Sequence, residues 1–136
     1  MPKVMIAEDD LGMADMLADV LAQSGYEVCG IARTVDKAVE LGERHKPDLA
    51  IVDLRLAHGG VGTEIAARLS SRGSMGILYA TGNVGQMDRL TKADGEACMR
   101  KPYRPEDVVL ALKIVEQIVS TGEVAGPFPK GFKVLS

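Results

Sequence analysis

Tryptophan is absent from the 136 residues, and only two phenylalanines and two cysteines occur. Cys29 and Cys98 form no CxxC pair, which removes a dithiol redox site and a thiolate metal centre. Both fall in strand-like runs and read as small buried hydrophobes. The two histidines, His45 and His58, lack metal-ligand spacing. His45 closes a helical pattern, where positive charge suits the helix dipole, and His58 reads as a solvated loop residue. Lysine and arginine never form a run, and formal net charge is −3. Binding to a nucleic-acid backbone is thereby disfavoured. No apolar run approaches a membrane span, and the N-terminus carries no signal-peptide pattern because charge returns at Glu8. A cytoplasmic protein that neither spans a membrane nor binds nucleic acid is the expectation.

What is present points to one ordered domain. Hydrophobic content is 46% and charged content 26%, ordinary for a globular fold, and the length suffices for a self-supporting core. Strand-like runs near 3–8, 26–31, 49–53, 76–80 and 96–100 alternate with helical patterns near 11–24, 35–46, 62–71, 85–93 and 105–120. That alternation predicts an α/β fold, a doubly wound sheet of five parallel strands with helices on both faces. The runs are continuously apolar, as burial on both faces requires. Asp10 and Thr34 are placed to cap the first two helices, and Gly25 to end the first. Pro47 blocks continuation of the second, and Pro105 suits the first turn of the last. The fourth helix, flanked by Gly82, Gly85 and Gly95, is expected to be among the least stable elements. Residues 1–120 form the expected domain, and 121–136 a Gly- and Pro-containing C-terminal tail. That tail holds both phenylalanines, Phe128 and Phe132, so docking on the body or on a partner is favoured over a free end.

Polar residues stand at the carboxyl ends of four apolar runs: Glu8 and Asp9 after Val4-Met5-Ile6-Ala7, Asp53 after Leu49-Ala50-Ile51-Val52, Thr81 after Ile77-Leu78-Tyr79-Ala80, and Lys101 after Ala97-Cys98-Met99. In neighbouring parallel strands these ends share the sheet edge where open α/β folds bind ligands. Three converging carboxylates call for a cation, and a hard divalent ion such as Mg²⁺ fits oxygen donors. With a hydroxyl and an ammonium added, the edge reads as a metal-assisted pocket for a phosphoryl group.

Over residues 3 to about 120 the chain resembles the receiver domain of response regulators, the CheY-like, flavodoxin-like fold of bacterial two-component signalling. The resemblance rests on Val-Met-Ile-Ala-Glu-Asp-Asp, Asp-Leu-Ala-Ile-Val-Asp, Ile-Leu-Tyr-Ala-Thr-Gly and Met-Arg-Lys-Pro-Tyr, in that order. It implies sheet order 2-1-3-4-5 and phosphorylation of Asp53 by a histidine kinase or histidine phosphotransfer protein. Glu8 and Asp9 match the metal-binding acids, and the Arg55 carbonyl matches a further Mg²⁺ ligand. Thr81 and Lys101 match the groups that contact phosphoryl oxygens, and Lys101–Pro102 matches a cis peptide. The implied function is a single-domain phosphoaccepting signalling protein, not an enzyme, that changes its affinity for an effector protein. Arg55 and Asn83 are candidates for tuning acyl-phosphate lifetime.

The chain departs from the family at Cys98, where an aromatic switch residue is usual. Tyr79-Ala80-Thr81-Gly82 resembles a subgroup with a Phe-Ala-Thr-Gly motif that also lacks that aromatic. Ala57 replaces a common proline, and Gly59, Gly60 and Gly62 make the loop after Asp53 adaptable. On the last helix, Val108, Ala111, Leu112, Val115, Ile118 and Val119 form the expected core arc. Leu110 and Ile114 lie to one side, open to a homodimer or partner contact as much as to ordinary packing. Two other readings stand beside this one. A pseudo-receiver would bind partners without phosphorylation, against which the intact acids, Thr81 and Lys101 speak. A phosphohydrolase of the haloacid dehalogenase type would want an acid where Arg55 stands.

Overall fold

Each continuous apolar run becomes a strand whose alternate residues enter different cores. The computed structural model describes residues 1–69 and 75–136. Its order is β1 (Lys3–Ala7), α1 (Leu11–Gln23), β2 (Glu27–Ala32), α2 (Val35–His45), β3 (Leu49–Asp53), α3 (Thr63–Arg68), β4 (Gly76–Thr81), α4 (Val84–Arg89), β5 (Ala97–Arg100), α5 (Pro105–Thr121) and β6 (Phe132–Val134). The sheet runs β2-β1-β3-β4-β5-β6. The first five strands pair in parallel, and β6 adds antiparallel to β5. Val4, Ile6, Leu49, Ile51 and Leu78 face a core closed by α1 and α5. Met5, Ala7, Ala50, Val52, Ile77 and Tyr79 face the other, closed by α2, α3 and α4. Period-2 alternation thus divides runs that look uniform in sequence between two layers.

The expected punctuation is present. Asp10 accepts the Met13 N–H at 3.1 Å and Thr34 the Lys37 N–H at 3.1 Å. Gly25 takes φ 95°, α2 stops at a left-handed Lys46 before Pro47, and α5 begins on Pro105. The short helices differ from expectation. The fourth helix closes at Arg89 rather than at 93, because Leu90 turns extended to bury its side chain. The expected end of the third, at 70–71, lies outside the described residues. No helix among the described residues is long and apolar enough to cross a membrane.

The sheet carries one strand more than the five expected. Phe132–Val134 pairs with Ala97–Met99, and Leu135 beyond it is buried, its N–H donating to the Glu96 carbonyl at 2.9 Å. Phe128 and Phe132 stand ring to ring at 5.4 Å. The tail therefore lies on the body, covering a β5 edge that would otherwise expose unpaired backbone groups. On α5, Ile114 is buried and Leu110 is half-exposed, so one of the two proposed contact residues is spent inside the monomer. Val119 lies near Gly76 yet remains 40% exposed, and so contributes less to the core than its phase predicts.

Candidate functional site

The strand order brings β1, β3, β4 and β5 side by side, so their carboxyl ends meet on one rim. Glu8 follows β1, with its backbone N–H tied to the Ala32 carbonyl at 2.9 Å. Asp53 closes β3, Thr81 closes β4, and Lys101 follows β5 with its N–H on the Thr81 carbonyl at 2.8 Å. The Lys101–Pro102 peptide is cis.

Lys101 is the hub of the site. Its Nζ donates to Asp53 Oδ2 at 2.7 Å and to Glu8 Oε1 at 2.9 Å. Asp53 Oδ1 accepts the Arg55 N–H at 3.0 Å, and Glu8 Oε2 accepts the Asp10 N–H at 3.2 Å. Glu8, Asp53 and Thr81 are buried, while Asp9 is exposed. Oxygens of Glu8, Asp9 and Asp53 lie within 4.8 Å of one another. Asp9, Asp53, Arg55, Thr81 and Lys101 line one open depression of about 660 Å³, with Asn83 and Gln86 beside them. All six residues singled out by the sequence thus reach one place. For Arg55 the contact seen is its backbone N–H, and the Thr81 hydroxyl donates to Gln86 rather than to Asp53.

Three carboxylates and one ammonium leave the cluster short of positive charge. Burial pushes the Glu8 carboxyl from 4.5 up to about 7; Lys101 opposes the rise and neighbouring Asp53 adds to it. For Lys101, burial acts downward, but its hydrogen bonds to Asp53 and Glu8 outweigh that and raise it on balance. Hard oxygen donors at this spacing, around a carboxyl driven toward neutrality, suit a divalent cation.

This gives a pH prediction. Glu8 is raised, so its contribution to stability is complete below pH 4.5 and is lost as pH rises through about 7. Lys101 stays charged across that window and adds no slope. In chelator, wild type should lose up to about 3 kcal/mol relative to Glu8→Gln over this range, read from urea unfolding at each pH. A constant difference would refute the assignment.

Thr81 shows the feature that sequence reasoning missed. Its hydroxyl accepts the Asn83 N–H at 3.1 Å and donates to Gln86 Oε1 at 2.9 Å. Asn83 caps α4 through the Gln86 N–H at 3.0 Å. The Thr-x-Asn-x-x-Gln spacing was the available signal, an N-cap with an amide three residues on. Cys98 is wholly buried, and burial pushes its thiol up to about 12. Tyr79, its register neighbour on β4, is also wholly buried and donates to the Asp94 carbonyl at 2.8 Å.

A doubly wound sheet with an acid-rich, lysine-bridged rim at its strand ends defines a class of α/β proteins whose site lies where open sheets of this kind bind ligands. Residues 4–113 match the family model of the response regulator receiver domain, and the chain belongs to that family. It is 32% identical over 130 residues to the transcriptional regulatory protein PdtaR of Mycobacterium tuberculosis, covering 90% of this chain and 63% of PdtaR. The chain thus spans less than two thirds of that relative. It is 28% identical to the chemotaxis protein CheY of Thermotoga maritima, over 85% of this chain and 98% of CheY. Among solved structures it resembles the signal receiver domain of a modulated diguanylate cyclase from Desulfovibrio desulfuricans G20. There the TM-score is 0.77 and identity 26%, over 90% of this chain and 99% of that one. Receiver domains are signalling modules of two-component systems, and as a family they interact with histidine kinases and effectors.

Proposed function

We propose that the chain is a phosphoacceptor response regulator, phosphorylated on Asp53 with Mg²⁺ by a histidine kinase or histidine phosphotransfer protein. Residues 1–120 make the receiver, and 121–136 a segment packed on it. The observation that carries this reading is the Lys101 ammonium bridging Asp53 and Glu8 on a rim shared with Asp9 and Thr81.

An Asp53 carboxylate oxygen attacks phosphorus, forming the P–O bond of an acyl phosphate. The P–N bond of the donor phosphohistidine breaks with its electron pair staying on that nitrogen, and the donor, already protonated on its other ring nitrogen, leaves as neutral imidazole. Arg55 N–H and Lys101 hold the attacking carboxylate in place. Lys101 also supplies positive charge to a transferring oxygen, and the Thr81 hydroxyl can donate to another once it turns from Gln86. Glu8, Asp9, Asp53 and the Arg55 carbonyl would hold Mg²⁺, which neutralises charge on the phosphoryl group when bound.

Incubation with acetyl phosphate and Mg²⁺ should add one phosphate to wild type by mass. The adduct should be absent in EDTA and on Asp53→Asn. A histidine-kinase donor repeats the test where the small donor fails. No adduct from either donor would leave a pseudo-receiver that binds partners without phosphorylation.

A further inference from the structure

Receiver signalling needs a link from the phosphoacceptor to a surface, and Cys98 offers no ring to swing. The bonds around Thr81 supply a different link. A threonine hydroxyl has one proton to give, and here it goes to Gln86 Oε1 at 2.9 Å. The same proton cannot serve a phosphoryl oxygen on Asp53. Gln86 lies in α4, a helix of six residues with Val84 44% exposed. Its inward anchors, Met87 and Leu90, share a core cluster with Leu135 of the tail. Asp88 of α4 also faces Lys133 of β6, at 3.7 Å. Beyond α4, the Lys92 N–H donates to the Ser136 carbonyl at 3.2 Å. On its other side the tail meets β5 next to the site, with the Arg100 N–H on the Gly131 carbonyl at 3.0 Å.

We propose that Gln86 is a positioning residue that holds the Thr81 hydroxyl away from Asp53, and that its release on phosphorylation loosens α4 and the C-terminal strand seated against it. The amide takes the part an aromatic ring plays elsewhere in the family, and the tail becomes the segment that reports the state of Asp53. This proposal rests on the phosphoacceptor reading given above. It exchanges one hydrogen-bond acceptor for another, so its size is that of a single bond acting on a marginal helix.

The test uses the full chain with Gln86→Leu, Gln86→Glu, Thr81→Val and the double variant Gln86→Leu/Thr81→Val. Amide hydrogen exchange is followed in 84–90 and 132–135, and phosphorylation by mass. Without phosphate, Gln86→Leu should raise exchange in both segments by about fivefold, the worth of one hydrogen bond, while α1 and β1 stay unchanged. Gln86→Glu, which keeps an acceptor, should restore wild-type protection. Thr81→Val should loosen the same two segments, and the double variant should add nothing beyond either single change. Gln86→Leu should also take up phosphate faster than wild type. Wild-type protection in Gln86→Leu, or additive effects in the double variant, would overturn the proposal. Absence of phosphorylation on wild type would sink the phosphoacceptor reading and the release on phosphorylation, leaving the Thr81–Gln86 latch to the exchange data.

Discussion

Lys101→Met should destabilise the fold as well as abolish phosphate uptake, and the two losses should respond differently to pH. Lys101 is the cation between two buried carboxylates, Glu8 and Asp53, whose side chains are 4% and 9% exposed. Methionine keeps most of the stem and removes the charge. Breaking a buried pair from one side leaves uncompensated charge, a loss of about 3–5 kcal/mol. Glu8 also loses the contact that opposes its upward shift, so its carboxyl holds a proton to higher pH than in wild type. A raised acid stabilises the native state below its unfolded value of 4.5 and withdraws that support as pH rises. The deficit should therefore be small near pH 4.5 and grow through neutrality, measured by urea unfolding in chelator. Excess Mg²⁺ should recover part of it at neutral pH, because a cation bound only by the native state stabilises that state. Phosphate uptake should not return under either condition, since no ammonium remains for the phosphoryl group. An equal deficit at every pH would show that Lys101 contributes packing rather than charge.

Why the rim was readable from sequence, and the Thr81–Gln86 contact was not, follows from the kind of signal each leaves. Glu8, Asp53, Thr81 and Lys101 each end an apolar run, and a parallel sheet turns chain order into spatial adjacency. Cap residues are local, so Asp10 and Thr34 could be placed without tertiary information. The tail strand is a three-residue segment after Gly131, too short for period-2 alternation to register, and it exists because β5 offers an unpaired edge. Ile114 and Val119 on α5 share the same ambiguity. Helical phase puts each near the boundary of the core arc, and only the positions of neighbouring elements decide which is covered. Gln86 is an ordinary polar residue on an amphipathic turn until Thr81 is seen beside it. The folding logic is thus carried by hydrophobic period, while the Thr81–Gln86 contact rests on a single side-chain bond that leaves no pattern.

The glycines after Asp53 divide in the same way, and Gly62→Ala should be the most damaging small substitution near the site. Gly59 needs its glycine for a left-handed φ of 74°, and no atom lies within 4 Å of where its Cβ would point. Gly62 is an unstrained residue at φ −56° and owes its identity to crowding. A Cβ there would fall 2.3 Å from the Asp53 carbonyl oxygen and 2.7 Å from Val52 Cγ1. The Gly62 N–H also donates to the Leu54 carbonyl at 3.0 Å, pinning the two segments together. Backbone cannot yield as a flexible side chain would, so the strand end carrying Asp53 must shift. Overpacking of this kind costs about 1–3 kcal/mol. A displacement near one ångström at the attacking carboxylate can slow transfer by about a hundredfold. Phosphorylation by acetyl phosphate should fall by that order in Gly62→Ala at a temperature where the variant is still folded. Gly59→Ala should lose about 1 kcal/mol through its left-handed backbone while keeping its phosphorylation rate within a few-fold. Equal rates in wild type and Gly62→Ala would mean that the loop gives way and Asp53 stays where it is.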